Sequence, residues 1–152
     1  MRKVGIFLAA AFVLPGTLAI AEDVSPDEVK FEDLAVAAPL TDVPGDPAAG
    51  QEVFRSRSLG NCLACHVNSD LKKDLFHGTV GPSMDGVADR WEPAQLRAIV
   101  ANPKQVFGEQ TVMPGFYSLD VGADVSEDVA GKTILTAQQV EDAVAYLATL
   151  KE

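Results

Sequence analysis

Cysteine, histidine and basic residues are all scarce in this chain. Its 152 residues include two cysteines and two histidines, and 12 Lys and Arg stand against 22 Asp and Glu, for a formal net charge of −10. So acidic a surface argues against nucleic acid and anionic membrane as partners, and favours docking to basic patches on other proteins. Both cysteines fall in one short motif, which leaves no other thiol for nucleophilic catalysis. Strand-like alternation and internal repeats are missing, so neither a β-rich nor a repeat architecture is expected. The glycine-rich run from Gly78 to Gly86 lacks the strand-to-helix setting and the Gly-Lys-Ser/Thr ending of a phosphate cradle. The one long apolar run, Val4 to Ile20, lies near the N-terminus.

The motif that is present is Cys62-Leu63-Ala64-Cys65-His66, the Cys-x-x-Cys-His signature of covalently attached c-type haem. On a helical turn, residues three and four apart share a face. Cys62 and Cys65 can then reach two vinyl groups on one porphyrin edge, while His66 offers a nitrogen to the iron. Other uses of the pair fit less well. A thioredoxin-like motif needs a βαβ unit around it, and none is visible. A zinc site needs four ligands, and adjacent Cys65 and His66 leave only His77 to complete it. A disulfide across two residues would be strained.

Arg2 and Lys3, the apolar run, and the small-x-small pattern Ala19-Ile20-Ala21 predict a secretory signal peptide over residues 1–21, cleaved after Ala21. Pro15-Gly16 and the shortness of the run oppose an uncleaved membrane span. Export to the periplasm suits the haem, whose covalent attachment is made outside the bacterial inner membrane. Residues 22–45 form an acidic extension with Pro26, Pro39 and Pro44. It is expected to be irregular, and either disordered or packed against the domain or a partner through Val36, Ala37, Ala38 and Leu40.

Residues 46–152 predict one all-α domain with long loops. Asp46-Pro47 supplies a cap and a first helical position, opening a helix to about Ser58 that Leu59-Gly60 closes. Gly50 inside it costs about 1 kcal/mol relative to Ala, so a close helix crossing is expected there. Pro93 begins a second helix running to Ala101, with Leu96, Ile99 and Val100 on one side, and Asn102-Pro103 stops it. Lys104 to Phe107 can form a further turn. Thr136-Ala137-Gln138-Gln139 is a capping box, followed by Val140, Ala143, Val144, Leu147 and Leu150 at helical spacing.

Met84, Met113 and His77 are the candidates for the sixth position on a His66-ligated iron. Met113-Pro114-Gly115 lies in a loop between helices, free to approach the far face, and is the preferred one; Met/His ligation raises the potential. Met84 can pack on the haem edge instead, and His77 is too close to His66 in sequence to reach the opposite side. The second ring nitrogen of His66 should meet a carbonyl, with Pro82 the best local source. Arg90 and Trp91 are candidate donors to the haem propionates, or else a surface cation beside a core indole.

Taken together, Gly50 and Phe54, the haem motif, Gly81-Pro82, Met113-Pro114 and Tyr146-Leu147 resemble class I cytochromes c over Asp46 to Leu150. Gly60-Asn61 before the motif, Gly78-Thr79-Val80-Gly81-Pro82, Asn102-Pro103, Val112-Met113-Pro114-Gly115-Phe116-Tyr117 and the Ser118–Leu135 insertion are similar to the SoxX family, monohaem subunits of the SoxAX cytochromes of bacterial sulfur oxidation. This resemblance implies the class I cytochrome c fold with an N-terminal extension. It implies one covalent haem c, and a periplasmic heterodimer with a SoxA-like dihaem cytochrome. The complex would couple thiosulfate to a cysteine of the SoxYZ carrier and release two electrons to a downstream cytochrome c. In that family the bond-forming site lies on the partner subunit, so this chain would hold no catalytic residue. Phe116 and Tyr117 are candidates for an interface near the haem edge or for core packing. A free-standing periplasmic electron carrier and an open-iron sensor or peroxidase-like protein are the competing readings.

Overall fold

A computed structural model describes residues 23–152 other than 121, 123, 124 and 128. The expected signal peptide and its cleavage site lie outside the described residues. Five α-helices appear among the described residues: α1 (Pro47–Arg55), α2 (Val87–Arg90), α3 (Pro93–Ala101), α4 (Lys104–Phe107) and α5 (Ala137–Leu147). The only β feature described is an isolated antiparallel bridge between Glu32 and Ala35. The domain is all-α, as its patterning predicts.

Helix α1 starts where the Asp46 carboxylate accepts from the amide of Ala48, with Pro47 at the first helical position. It ends at Arg55, earlier than expected. Ser56 turns extended (ψ 126°), its hydroxyl lies 3.1 Å from that of Ser58, and its carbonyl accepts from Asn61. These serine contacts offer the backbone an alternative to helix and turn the chain toward the haem motif.

Helix α1 crosses α5 at the predicted glycine. A Cβ on Gly50 would collide with the Asp142 carbonyl and stand 2.8 Å from Tyr146 Cβ. Phe54 meets the Tyr146 ring edge-on, centroids 5.7 Å apart. The Asp142 carboxylate accepts from the amide of Asp46 at 2.9 Å, tying the start of α1 to α5. Val53, Phe54, Leu96, Val140, Val144 and Leu147 are all buried in the core that these helices share with α3.

In α3 the buried side is turned from the expected one. Leu96 and Val100 are buried, but so are Arg97 and Ala98, while Ile99 is half-exposed. Arg97 is buried because the N-terminal extension covers it. Its Nε and Nη2 donate to the two oxygens of Glu141 at 2.7 and 2.9 Å, and Nη1 donates to the carbonyl of Val36 at 2.9 Å. Glu141 Oε1 also accepts from the amide of Leu40. Val36 and Leu40 are 3% and 1% exposed, so this part of the extension is packed on the domain.

Candidate haem site

Asn61 takes a left-handed conformation (φ 49°) and leads into a single 3-10 turn, Cys62–Ala64. The amides of Cys65 and His66 both donate to the Cys62 carbonyl, at 3.0 and 2.9 Å. The motif therefore forms the one turn its spacing requires. Both cysteines are half-buried and are not joined to each other in a disulfide.

The loop 78–84 is laced onto this turn. The amides of Gly78, Gly81 and Met84 donate to the carbonyls of Leu63, Cys65 and Val67, at 2.8, 2.9 and 2.8 Å. A Cβ on Gly81 would collide with the His66 ring, 2.6 Å from Nδ1 and 2.8 Å from Nε2. Absence of a side chain lets the loop lie against the imidazole. His66 Nδ1 stands 2.7 Å from the Pro82 carbonyl. A carbonyl only accepts, so in neutral imidazole the proton sits on Nδ1 and Nε2 keeps its lone pair.

Other candidates are placed as follows. His77 is held by backbone groups: Nε2 is 3.1 Å from the Leu71 carbonyl, and Nδ1 accepts from the Asn68 amide at 3.3 Å. Met84 is buried beside Val67. Met113 is half-buried and packs on the edge of the core. Phe116 and Tyr117 are 6% and 7% exposed and belong to the core. Trp91 is half-buried, its ring edge-on to Phe107 at 6.0 Å.

Arg90 is tied to the loop that follows Pro82. Its Nη1 and Nη2 donate to the carbonyls of Asp85 and Ser83, each at 2.7 Å. The fixed fork of the guanidinium suits two carbonyls two residues apart, so Arg90 clamps the loop that follows Pro82. A second clamp was invisible in sequence: the Asp85 carboxylate accepts from the amide and hydroxyl of Ser69, each at 2.8 Å. The Ser69 amide bond is the main cause holding the Asp85 carboxyl below its usual range. Gly81 was legible as a loop glycine, but nothing local tells which side chain it abuts.

This donor set fits a porphyrin bound through two thioethers. Two cysteine sulfurs share a turn with an imidazole whose Nε2 is left able to bind iron. Among the described residues no cluster of three or more His, Cys, Asp or Glu could hold a bare metal ion. A haem-attachment turn on a helical scaffold defines a c-type cytochrome. The cytochrome c family model matches residues 47–151, and the chain belongs to that family. It has the class I cytochrome c fold and carries one covalently bound haem c.

Relatives agree with that assignment. The chain is 30% identical over 112 residues to cytochrome c-554 of Methylosinus trichosporium, covering 60% of this chain and 78% of that protein. It is 45% identical to a chain in the crystal structure of SoxXA from P. pantotrophus, covering 86% of this chain and 99% of that one, with a TM-score of 0.79. No helix among the described residues is long and apolar enough to cross a membrane.

Proposed function

We propose that this chain is the monohaem, electron-accepting subunit of a SoxAX-type complex in the periplasm. The observation that carries this reading is the 45% identity and 0.79 TM-score to the SoxXA chain, across 99% of its length. Cys62 and Cys65 would form the thioethers, His66 and Met113 would supply nitrogen and sulfur to the iron, and the Pro82 carbonyl orients His66. Arg90 and Trp91 are the candidate propionate donors.

When bound, the haem supplies a one-electron iron couple. The protein's residues set its surroundings. The Pro82 carbonyl polarises the imidazole and raises its basicity toward iron. Met113 would offer a thioether to the bound iron, a ligand type that favours the ferrous state and would leave less room for small ligands. Thiosulfate would be coupled to a SoxYZ cysteine on a SoxA-like dihaem partner, and two electrons would leave in single steps through this haem to a downstream cytochrome c. Both cysteines of this chain are committed to the haem, which suits a relay without a bond-forming site of its own.

The test is co-expression with a SoxA-like dihaem cytochrome. We expect the two to co-purify, and thiosulfate to reduce this haem only when partner and SoxYZ are both present. A chain that stays monomeric beside its partner, yet exchanges electrons with other cytochromes, would instead be a free-standing carrier.

A further inference from the structure

The N-terminal extension reaches the loop that carries Met113. Tyr117, four residues beyond Met113, is buried and donates its hydroxyl to the carbonyl of Val24 at 2.7 Å. The Val24 amide donates to the Leu40 carbonyl at 2.8 Å, closing residues 24–40 into a strap. The far end of the strap is gripped by the buried Arg97–Glu141 pair, through the Val36 carbonyl and the Leu40 amide. The amide of Val36 also donates to the carbonyl of Ala94 in α3.

The Met113 loop is held unevenly. Downstream of Met113 its bonds are long-range: the amides of Phe116 and Tyr117 donate to the carbonyls of Val100 and Ala101, and the Phe116 carbonyl accepts from Leu135. Upstream they are local, from the Thr111 amide to the Gly108 carbonyl and from Lys104 Nζ to the Glu109 carbonyl. Val112, next to Met113, is 81% exposed. The position of the methionine is therefore set from its C-terminal side, where the strap ends on Tyr117.

We infer that Tyr117 is a positioning residue for Met113, and that the strap, locked by Arg97 and Glu141, limits how readily the Met113 sulfur leaves the iron. The inference rests on the reading of Met113 as axial ligand. It gives the extension a role in tuning the haem, beyond stabilising the fold. Two substitutions separate these effects. Tyr117→Phe keeps the ring and removes only the hydroxyl. Glu141→Gln keeps the shape and weakens the grip on Arg97.

The experiment measures carbon monoxide association with the ferrous, haem-loaded full-length chain, and the far-red methionine-to-ferric charge-transfer band. A lost hydrogen bond of ordinary strength changes an opening equilibrium by about tenfold. We expect both variants to bind carbon monoxide about tenfold faster than wild type, and their far-red band to fade at lower temperature. If both match wild-type carbon monoxide binding within twofold while Glu141→Gln lowers the melting temperature, the strap stabilises the fold without controlling Met113, and the inference is wrong. Met113→Leu serves as the control. If the far-red band survives in that variant, the ligand reading itself fails, which is a different result from a strap that does not reach the ligand.

Discussion

Tyr146 joins three structural devices at one hydroxyl. Its ring fills the α1–α5 contact, and its hydroxyl donates to Asp70 at 2.8 Å and accepts from Asn68 Nδ2 at 2.9 Å. Asn68 is fully buried and begins the 3-10 turn Ser69–Leu71 by accepting from the Asp70 amide. Burial, followed by the bond to Asp70, raises the Tyr146 pKa from its ordinary 10.0 to about 12. Folding thus favours the neutral phenol. Its contribution is complete below pH 10 and is lost as the pH rises through about 12. Tyr146→Phe should cost about 1–3 kcal/mol at neutral pH, because Asn68 loses a buried partner. Chemical denaturation followed by circular dichroism measures that cost. Between pH 10 and 12 the variant should lose less further stability than wild type; equal losses would place the alkaline transition elsewhere.

The helix crossing balances two opposed effects at Gly50. Alanine there would improve helix propensity by about 1 kcal/mol. It would also drive a methyl group into the Asp142 carbonyl and to 2.8 Å from Tyr146 Cβ. Backbone cannot yield as a flexible side chain can, and overpacking of this kind typically costs about 1–3 kcal/mol. Gly50→Ala should therefore lower the denaturation midpoint despite its better propensity. An unchanged midpoint would mean that α1 can slide on α5. This crossing was legible in the sequence because a glycine in a capped helix is locally unfavourable and implies a reason from outside the helix. Helices α1, α3, α4 and α5 were legible through prolines, caps and stop signals. Helix α2 was not: it is one turn, released by Gly86 at φ 63° and fixed by tertiary contacts. The Arg97–Glu141 lock was equally hidden. Each residue looks like a solvated charge on its own helix, and only the strap that covers them makes them a buried pair. The His66–Pro82 contact was foreseeable because a ligating imidazole needs an acceptor and the loop is close in sequence. The Arg90 clamp was not, because a guanidinium near a haem has several possible acceptors.

At the scale of the whole molecule, two electrostatic fields compete around the haem motif. The chain carries a formal net charge of −10, yet exposed Lys72 and Lys73 lie just beyond the attachment turn. Ionic strength decides which field a reagent senses. At 0.01 M salt the screening length is about 30 Å, comparable to the molecule, so the summed negative charge dominates. At 0.15 M it shrinks to about 8 Å, and the nearby lysines dominate. The ferrous protein should accordingly reduce a cationic cobalt(III) phenanthroline complex faster at low salt than at high salt, by about tenfold. Its reaction with ferricyanide should accelerate over the same range, because salt screens the net repulsion and leaves the local lysine attraction. Replacing Lys72 and Lys73 by alanine should slow ferricyanide at 0.15 M while leaving the low-salt preference for the cation in place. Stopped-flow oxidation of the haem measures all three rates. A ferricyanide rate that falls with salt in the wild-type protein would show that the lysine field governs approach at every distance. The acidic surface would then steer partners to some other face than the haem motif.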